Sequence, residues 1–156
     1  MVANQMLRKI FYKKQRNEAP PLKVVWNTDK NDFYRSFDGI NMECINETYP
    51  EGFSIGEVDP DIIYNNLVSA SKIYNIDDLW RTADNSKVLG VLEHWYRNQK
   101  LTPPILDVYE NKLVLIGGNN RFNVARLYSG EDIIFITSIN NKMEISNILN
   151  NNVKWM

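Results

Sequence analysis

At 156 residues, 44% of them hydrophobic and 24% charged, the chain is long enough to bury one core and too short for two ordinary domains. Its 18 basic and 19 acidic side chains leave a net charge of −1, which excludes a protein that coats DNA by overall attraction. The single Cys44 excludes an internal disulfide framework and a multi-cysteine metal site. With no secretory pattern at the start and no apolar run of membrane-spanning length, the expected setting is the cytoplasm, with no membrane partner.

Residues 1–21 read as a basic amphipathic helix or arm, ended by Pro20-Pro21, which cannot continue a helix. Lys13, Lys14 and Arg16 are its candidate contacts to nucleic-acid phosphates. Residues 22–26 are rich in β-formers and predict a strand, followed by a short helical segment capped by Asn27 or Thr28 and closed by Gly39. Another strand is expected over 40–45. Tyr49-Pro50-Glu51-Gly52 is a turn, 53–58 a strand, and Asp59-Pro60 a helix start with proline at the first helical position. The apolar stripe Ile62, Ile63, Leu67, Val68 and Ile73 extends that helix toward Tyr74-Asn75. A second short helix carries Leu79 and Trp80, and Asp84 or Asn85 opens a third, on which Val88, Val91, Leu92, Trp95 and Tyr96 recur at helical spacing. After Thr102-Pro103-Pro104, strands at 105–109 and 112–116 flank Glu110-Asn111 as a hairpin. A helix closing at Ser129-Gly130, a strand over 133–137 and an Asn-rich tail with a weak helix near 145–149 complete the chain. Strands and helices without regular alternation indicate the α+β class.

The hairpin delivers the chain into Gly117-Gly118-Asn119-Asn120-Arg121, which carries the main functional signal. Adjacent glycines open backbone conformations closed to other residues, and a helix start presents unpaired N–H groups to an anion. Arg121 adds a charge whose planar fork matches phosphate oxygens. The same residues also make an ordinary strand-to-helix connector with Asn119 as N-cap. The glycine spacing fits neither the dinucleotide fingerprint nor the P-loop. Among acid–base candidates, Glu93 lies six residues after Lys87, off its helix face, and Asp107 and Glu110 belong to the hairpin. His94, the single histidine, reads as an exposed or half-buried helical residue that could also serve as a base. None of these forms a recognisable metal motif.

The order helix, Pro-Pro-Ile, hairpin, Gly-Gly-x-x-Arg-aromatic, helix, Gly, strand resembles the ParB/sulfiredoxin superfamily over residues 84–138. Ser86-Lys87-Val88 is similar to the opening of the sulfiredoxin helix, Pro103-Pro104-Ile105 to its strand entry, and Gly117-Gly118-Asn119-Asn120-Arg121-Phe122 to its Gly-Gly-Cys-His-Arg-Tyr motif. Gly118-Asn119-Asn120-Arg121 with Ala125 also resembles the Gly-Glu-Arg-Arg box of ParB nucleotide-binding domains.

The resemblance implies a mixed sheet packed with helices, with an N-terminal arm and decorating layer over 1–50, a core over 51–140 and a tail over 141–156. It also implies a nucleotide-phosphate pocket formed by Lys87, Gly117, Gly118, Asn119, Asn120 and Arg121. Asn119 stands where sulfiredoxin has its nucleophilic cysteine and cannot form a thiolate, so sulfiredoxin activity is not expected. Asn120 replaces a His or Arg of the relatives, and Gly90 a Ser. No helix-turn-helix or dimerisation segment is expected after the core.

Two readings follow. One is a nucleotide-dependent DNase or NTPase like the short ParB-like proteins of plasmids and phages, with Lys87, Arg121 and Glu93 as catalytic candidates and a nucleoside triphosphate with Mg2+ as the cofactor. The other is a non-catalytic module of the same fold that binds and blocks a protein or nucleic-acid partner. The expected partners are a nucleotide in the pocket, DNA along the basic N-terminal arm, or a protein target.

Overall fold

Asp59 is followed by a proline that presets helical φ and lacks the N–H a first helical residue would waste, so a helix begins there. The computed structural model describes residues 16–37 and 47–156, and in it the Asp59 carboxylate accepts a hydrogen bond from the Asp61 N–H at 2.8 Å to open α1 (Pro60–Asn66). Capping by Asn75 and Asp84 likewise opens α2 (Ile76–Thr82) and α3 (Asn85–Tyr96). α4 (Asn119–Val124) continues through one π-helical turn, Ala125–Ser129, to Gly130, and α5 (Lys142–Ile148) lies near the C-terminus.

The strands β1 (Phe53–Val58), β2 (Ile105–Tyr109), β3 (Lys112–Gly117), β4 (Ile133–Ser138) and β5 (Lys154–Trp155) form one mixed sheet in the order β3-β2-β4-β1-β5. β1 pairs antiparallel with β4 and β5, and β2 antiparallel with β3, whereas β2 meets β4 in parallel at Ile105 and Ile136 alone. The β2–β3 turn is made by Glu110 and Asn111, both at positive φ (48° and 63°), the geometry of a two-residue hairpin.

Successive residues of a strand point to opposite faces, so the sheet sorts its side chains into two cores. Leu106 and Phe135 join Ile63, Leu92, Trp95 and Phe122 beneath the helices. Ile105, Ile136 and Ile55 meet Phe33 and Phe37 on the other face. That second face is covered by a 3-10 helix, Lys30–Ser36, whose Phe33 is buried.

Several expectations need correction. Residues 22–26 are extended but join no sheet: Trp26 makes one isolated parallel bridge to Leu101, and the Trp95 indole donates to the Val25 carbonyl at 3.1 Å. The following segment is 3-10 and is capped by Asp29, not Asn27 or Thr28. α1 stops at Asn66, because Leu67 turns extended to bridge to Leu113 of β3, so Ile73 belongs to a separate segment. Gly118, not Asn119, caps α4, at φ +76° and with no side-chain bond. The tail over 141–156 is packed: Ile145 and Leu149 are buried, and Trp155 stacks edge-on against Phe135 at 5.6 Å in a strand the sequence did not predict. The expected arm through residue 15, including Lys13 and Lys14, and the expected strand over 40–45 with Cys44 lie outside the described residues. No helix among the described residues is long and apolar enough to cross a membrane.

The N-terminal segment is tied to α3 by the Tyr96 hydroxyl, which donates to the Pro20 carbonyl at 2.6 Å. Burial, with a smaller contribution from Tyr128, pushes this hydroxyl from 10.0 up to about 12. A phenol whose folded pKa is raised contributes stability that is fully present below its unfolded pKa and is lost as pH rises through the folded value. Chemical-denaturation midpoints should therefore fall between about pH 10 and about pH 12. Burial raises Tyr49 and Tyr128 in the same direction. Tyr96→Phe should consequently make this alkaline decline shallower without abolishing it.

Candidate functional site

Helical periodicity places Lys87, Gly90, Val91 and His94 on one face of α3, since offsets of three, four and seven residues return to the same side. That face looks onto Gly118, Asn119, Asn120 and Arg121, at the start of α4. With Arg35 and Leu101 these residues line a cleft of about 420 Å³, within the size range of small-molecule sites. The structure thus brings Lys87 and Arg121, from separate elements, into one lining. Glu93, about 240° around the helix from Lys87 by α-helical geometry, is half-buried and outside it. Gly117 also stands back from the cleft, packed against the Ser36 carbonyl.

Arg121 does two things at once. Its Nη1 donates to both the Thr102 carbonyl (3.1 Å) and the Thr102 hydroxyl (2.6 Å), and Nη2 reaches the Ser36 carbonyl at 3.4 Å. The sequence reading gave the fork to phosphate oxygens, whereas here it clamps the chain's own oxygens and so fixes where the charge sits. The backbone is shaped for this arrangement. A Cβ at Gly118 would lie 2.8 Å from Pro104 Cα and 3.0 Å from Arg121 Nη2.

His94 Nδ1 lies 2.9 Å from the Gly90 carbonyl. A carbonyl only accepts, so Nδ1 is the donor of this bond, which makes Nε2 the acceptor nitrogen of the neutral tautomer. Arg35 and Lys100 are the residues that sequence reasoning missed. Arg35 reaches the cleft from the 3-10 helix, its Nη2 3.9 Å from Asp32. Lys100 lines an adjoining cavity of about 270 Å³ that shares Arg35, His94, Leu101 and Arg121 with the cleft. No local pattern marks either residue, because long chain separations bring them here.

The remaining candidates have other surroundings. Arg16 stacks over the Trp80 ring at 4.4 Å, which holds its side chain against α2. Asp107 accepts from the Asn141 amide at 2.9 Å, and Glu110 sits in the hairpin turn. Among the described residues, no group of three or more His, Cys, Asp or Glu comes together as a metal site would require. Asp84 stays at the α3 cap, its carboxyl held below the usual range first by hydrogen bonds from the Ser86 hydroxyl and backbone.

Comparison with protein-family models, with curated proteins and with solved structures gives no match. The cleft is therefore judged on its own geometry.

Two glycines of the lining separate by cause. A Cβ at Gly90 meets nothing within 4 Å, so Gly90→Ala should raise stability by about 0.5–1 kcal/mol through helix propensity alone. Gly118→Ala must adopt φ +76° beside Pro104 and should lose about 1–2 kcal/mol or more. Urea unfolding of both variants tests the pair, and equal shifts would refute the assignment.

Proposed function

We propose that the chain is a ParB/sulfiredoxin-like protein that binds the phosphate groups of a nucleotide or nucleic acid in this cleft. One observation carries the reading. In a chain with one more acidic than basic side chain, the cleft and its adjoining cavity gather Arg35, Lys87, Lys100 and Arg121, and among the described residues no carboxylate lines either of them. Such a concentration of one sign in a concave wall focuses potential on an anion, and the amides of Asn119 and Asn120 add hydrogen-bonding groups beside it. The ordered resemblance over 84–138 supports the same placement.

A nucleoside triphosphate fits this set of cations. A dedicated Mg2+ site does not fit the described residues, because Mg2+ is held by carboxylates together with substrate phosphates, and among those residues the lining offers no carboxylate. The reading is accordingly one of binding. A hydrolytic reading, as DNase or NTPase, is favoured by His94 alone, whose Nε2 is available to accept a proton from water when Nδ1 is bonded to Gly90.

Calorimetry with ATP, CTP and GTP tests the proposal. Lys87→Gln should weaken nucleotide affinity about fivefold, or roughly 1 kcal/mol, the scale of a solvent-exposed charge contact. Lys112→Gln, an exposed cation on β3 outside the cleft, should not. Equal effects of the two changes would sink the site. Phosphate release or DNA cleavage that disappears in His94→Gln would establish the hydrolytic reading over simple binding.

A further inference from the structure

The cleft does not end at Asn119 and Asn120. The same two residues also line a third cavity, of about 400 Å³, whose other walls include Ser71, Lys72, Thr82 and Asn123. With the cavity around Lys100 at the opposite end, three hollows run in series, each sharing lining residues with the next. Lys100 stands at one end, Arg35, Arg121 and Lys87 along the middle, and Lys72 at the other end. Among the described residues, none of the three linings includes an aspartate or glutamate.

We infer that the groove holds a single-stranded nucleic acid laid across Asn119 and Asn120, the central cleft taking one phosphate unit of that strand. The inference rests on the phosphate-binding reading of the central cleft and extends it to a substrate class. A mononucleotide concentrates its charge at one end. Cations distributed over three linked cavities instead match a polymer that repeats its charge along its length. Among the described residues the linings contain no aromatic side chain for base stacking, so the contacts follow the backbone and tolerate sequence.

A second observation points the same way. Asn123 is 1% exposed, its Nδ2 donates to the Asn119 carbonyl at 2.8 Å, and its Oδ1 has no hydrogen-bond partner. A buried acceptor left unpaired is costly, and Asn123 is among the residues that line the third cavity. Phosphate carries no donor for it at neutral pH. A base amino group or a ribose hydroxyl does.

The test is a length series of fluorescein-labelled oligo(dC), from one to ten nucleotides, with a ten-base-pair duplex, measured by anisotropy at two salt concentrations on the full chain. Affinity should rise tenfold or more between one nucleotide and about four, then level off, with the single strand bound more tightly than the duplex. The salt slope should steepen to beyond about −2 as more phosphates engage, at about −0.7 per phosphate for single strands. Lys72→Gln, a change on an exposed side chain, should lower the ratio of ten-nucleotide to mononucleotide affinity severalfold, and Lys100→Gln likewise. Melting curves verify that both variants stay folded. Oligonucleotides that bind no better than the mononucleotide, or a duplex that binds as well as the single strand, would overturn the inference while leaving the phosphate cleft in place. If neither mononucleotide nor oligonucleotide binds, the cleft reading fails as well.

Discussion

The site depends on one crowded junction, the backbone at Ser36. Its hydroxyl donates to the Pro103 carbonyl at 2.7 Å, its own carbonyl accepts from Arg121, and that carbonyl occupies the place where Gly117 would otherwise carry a side chain. Three segments far apart in the sequence are thereby fixed to one another: the 3-10 helix, the Thr102-Pro103-Pro104 entry to β2, and the glycine turn. Ser36 is fully buried, so its polar groups are satisfied by protein or pay a desolvation cost. The same residues that complete the second core also set the positions of Arg35 and Arg121, which couples packing to the charge of the cleft.

Local chemistry made most of the elements legible. Asp59-Pro60, the Glu110-Asn111 turn and the spacing of Val88, Leu92 and Trp95 each specify a structure within a few residues, and each is found where the pattern put it. The failures share a cause. Residues 22–26 have the composition of a strand, yet their neighbour is the end of α3 and Leu101 rather than an open sheet edge. β5 is two residues long, below the reach of any periodicity, and exists because Trp155 is held between Phe135 and Ser146.

The site was legible by halves. Lys87 and the glycine turn could be named because short motifs carry them, and helical geometry already set Glu93 off their face. His94 stood on the face of Lys87 but looked like a surface histidine, since the opposite wall of its cavity comes from Arg35 and the glycine turn, both remote from it in the chain. Arg35 and Lys100 could not be found at all, because their proximity is a product of the fold. For Arg121, the turn accounts for its position in the lining, while Thr102 and Ser36 claim donors that a motif would assign to a ligand.

The parallel meeting of β2 and β4 divides the sheet. On one side lies the β2–β3 hairpin that delivers the glycine turn, and on the other the antiparallel set β4–β1–β5. Across the boundary run the pairing of Ile105 with Ile136, the Ile136 N–H to the Pro104 carbonyl at 2.9 Å, and the Thr137 hydroxyl to the Leu106 carbonyl at 2.8 Å. With a ladder this short, the two halves are held mainly by the side chains packed across it, Leu106 and Leu113 of the hairpin in one core with Phe135 and Val58. A ligand gripping both Arg35 and the start of α4 would add a bond between the 3-10 helix and the turn that the hairpin delivers, on the cleft side of the same seam.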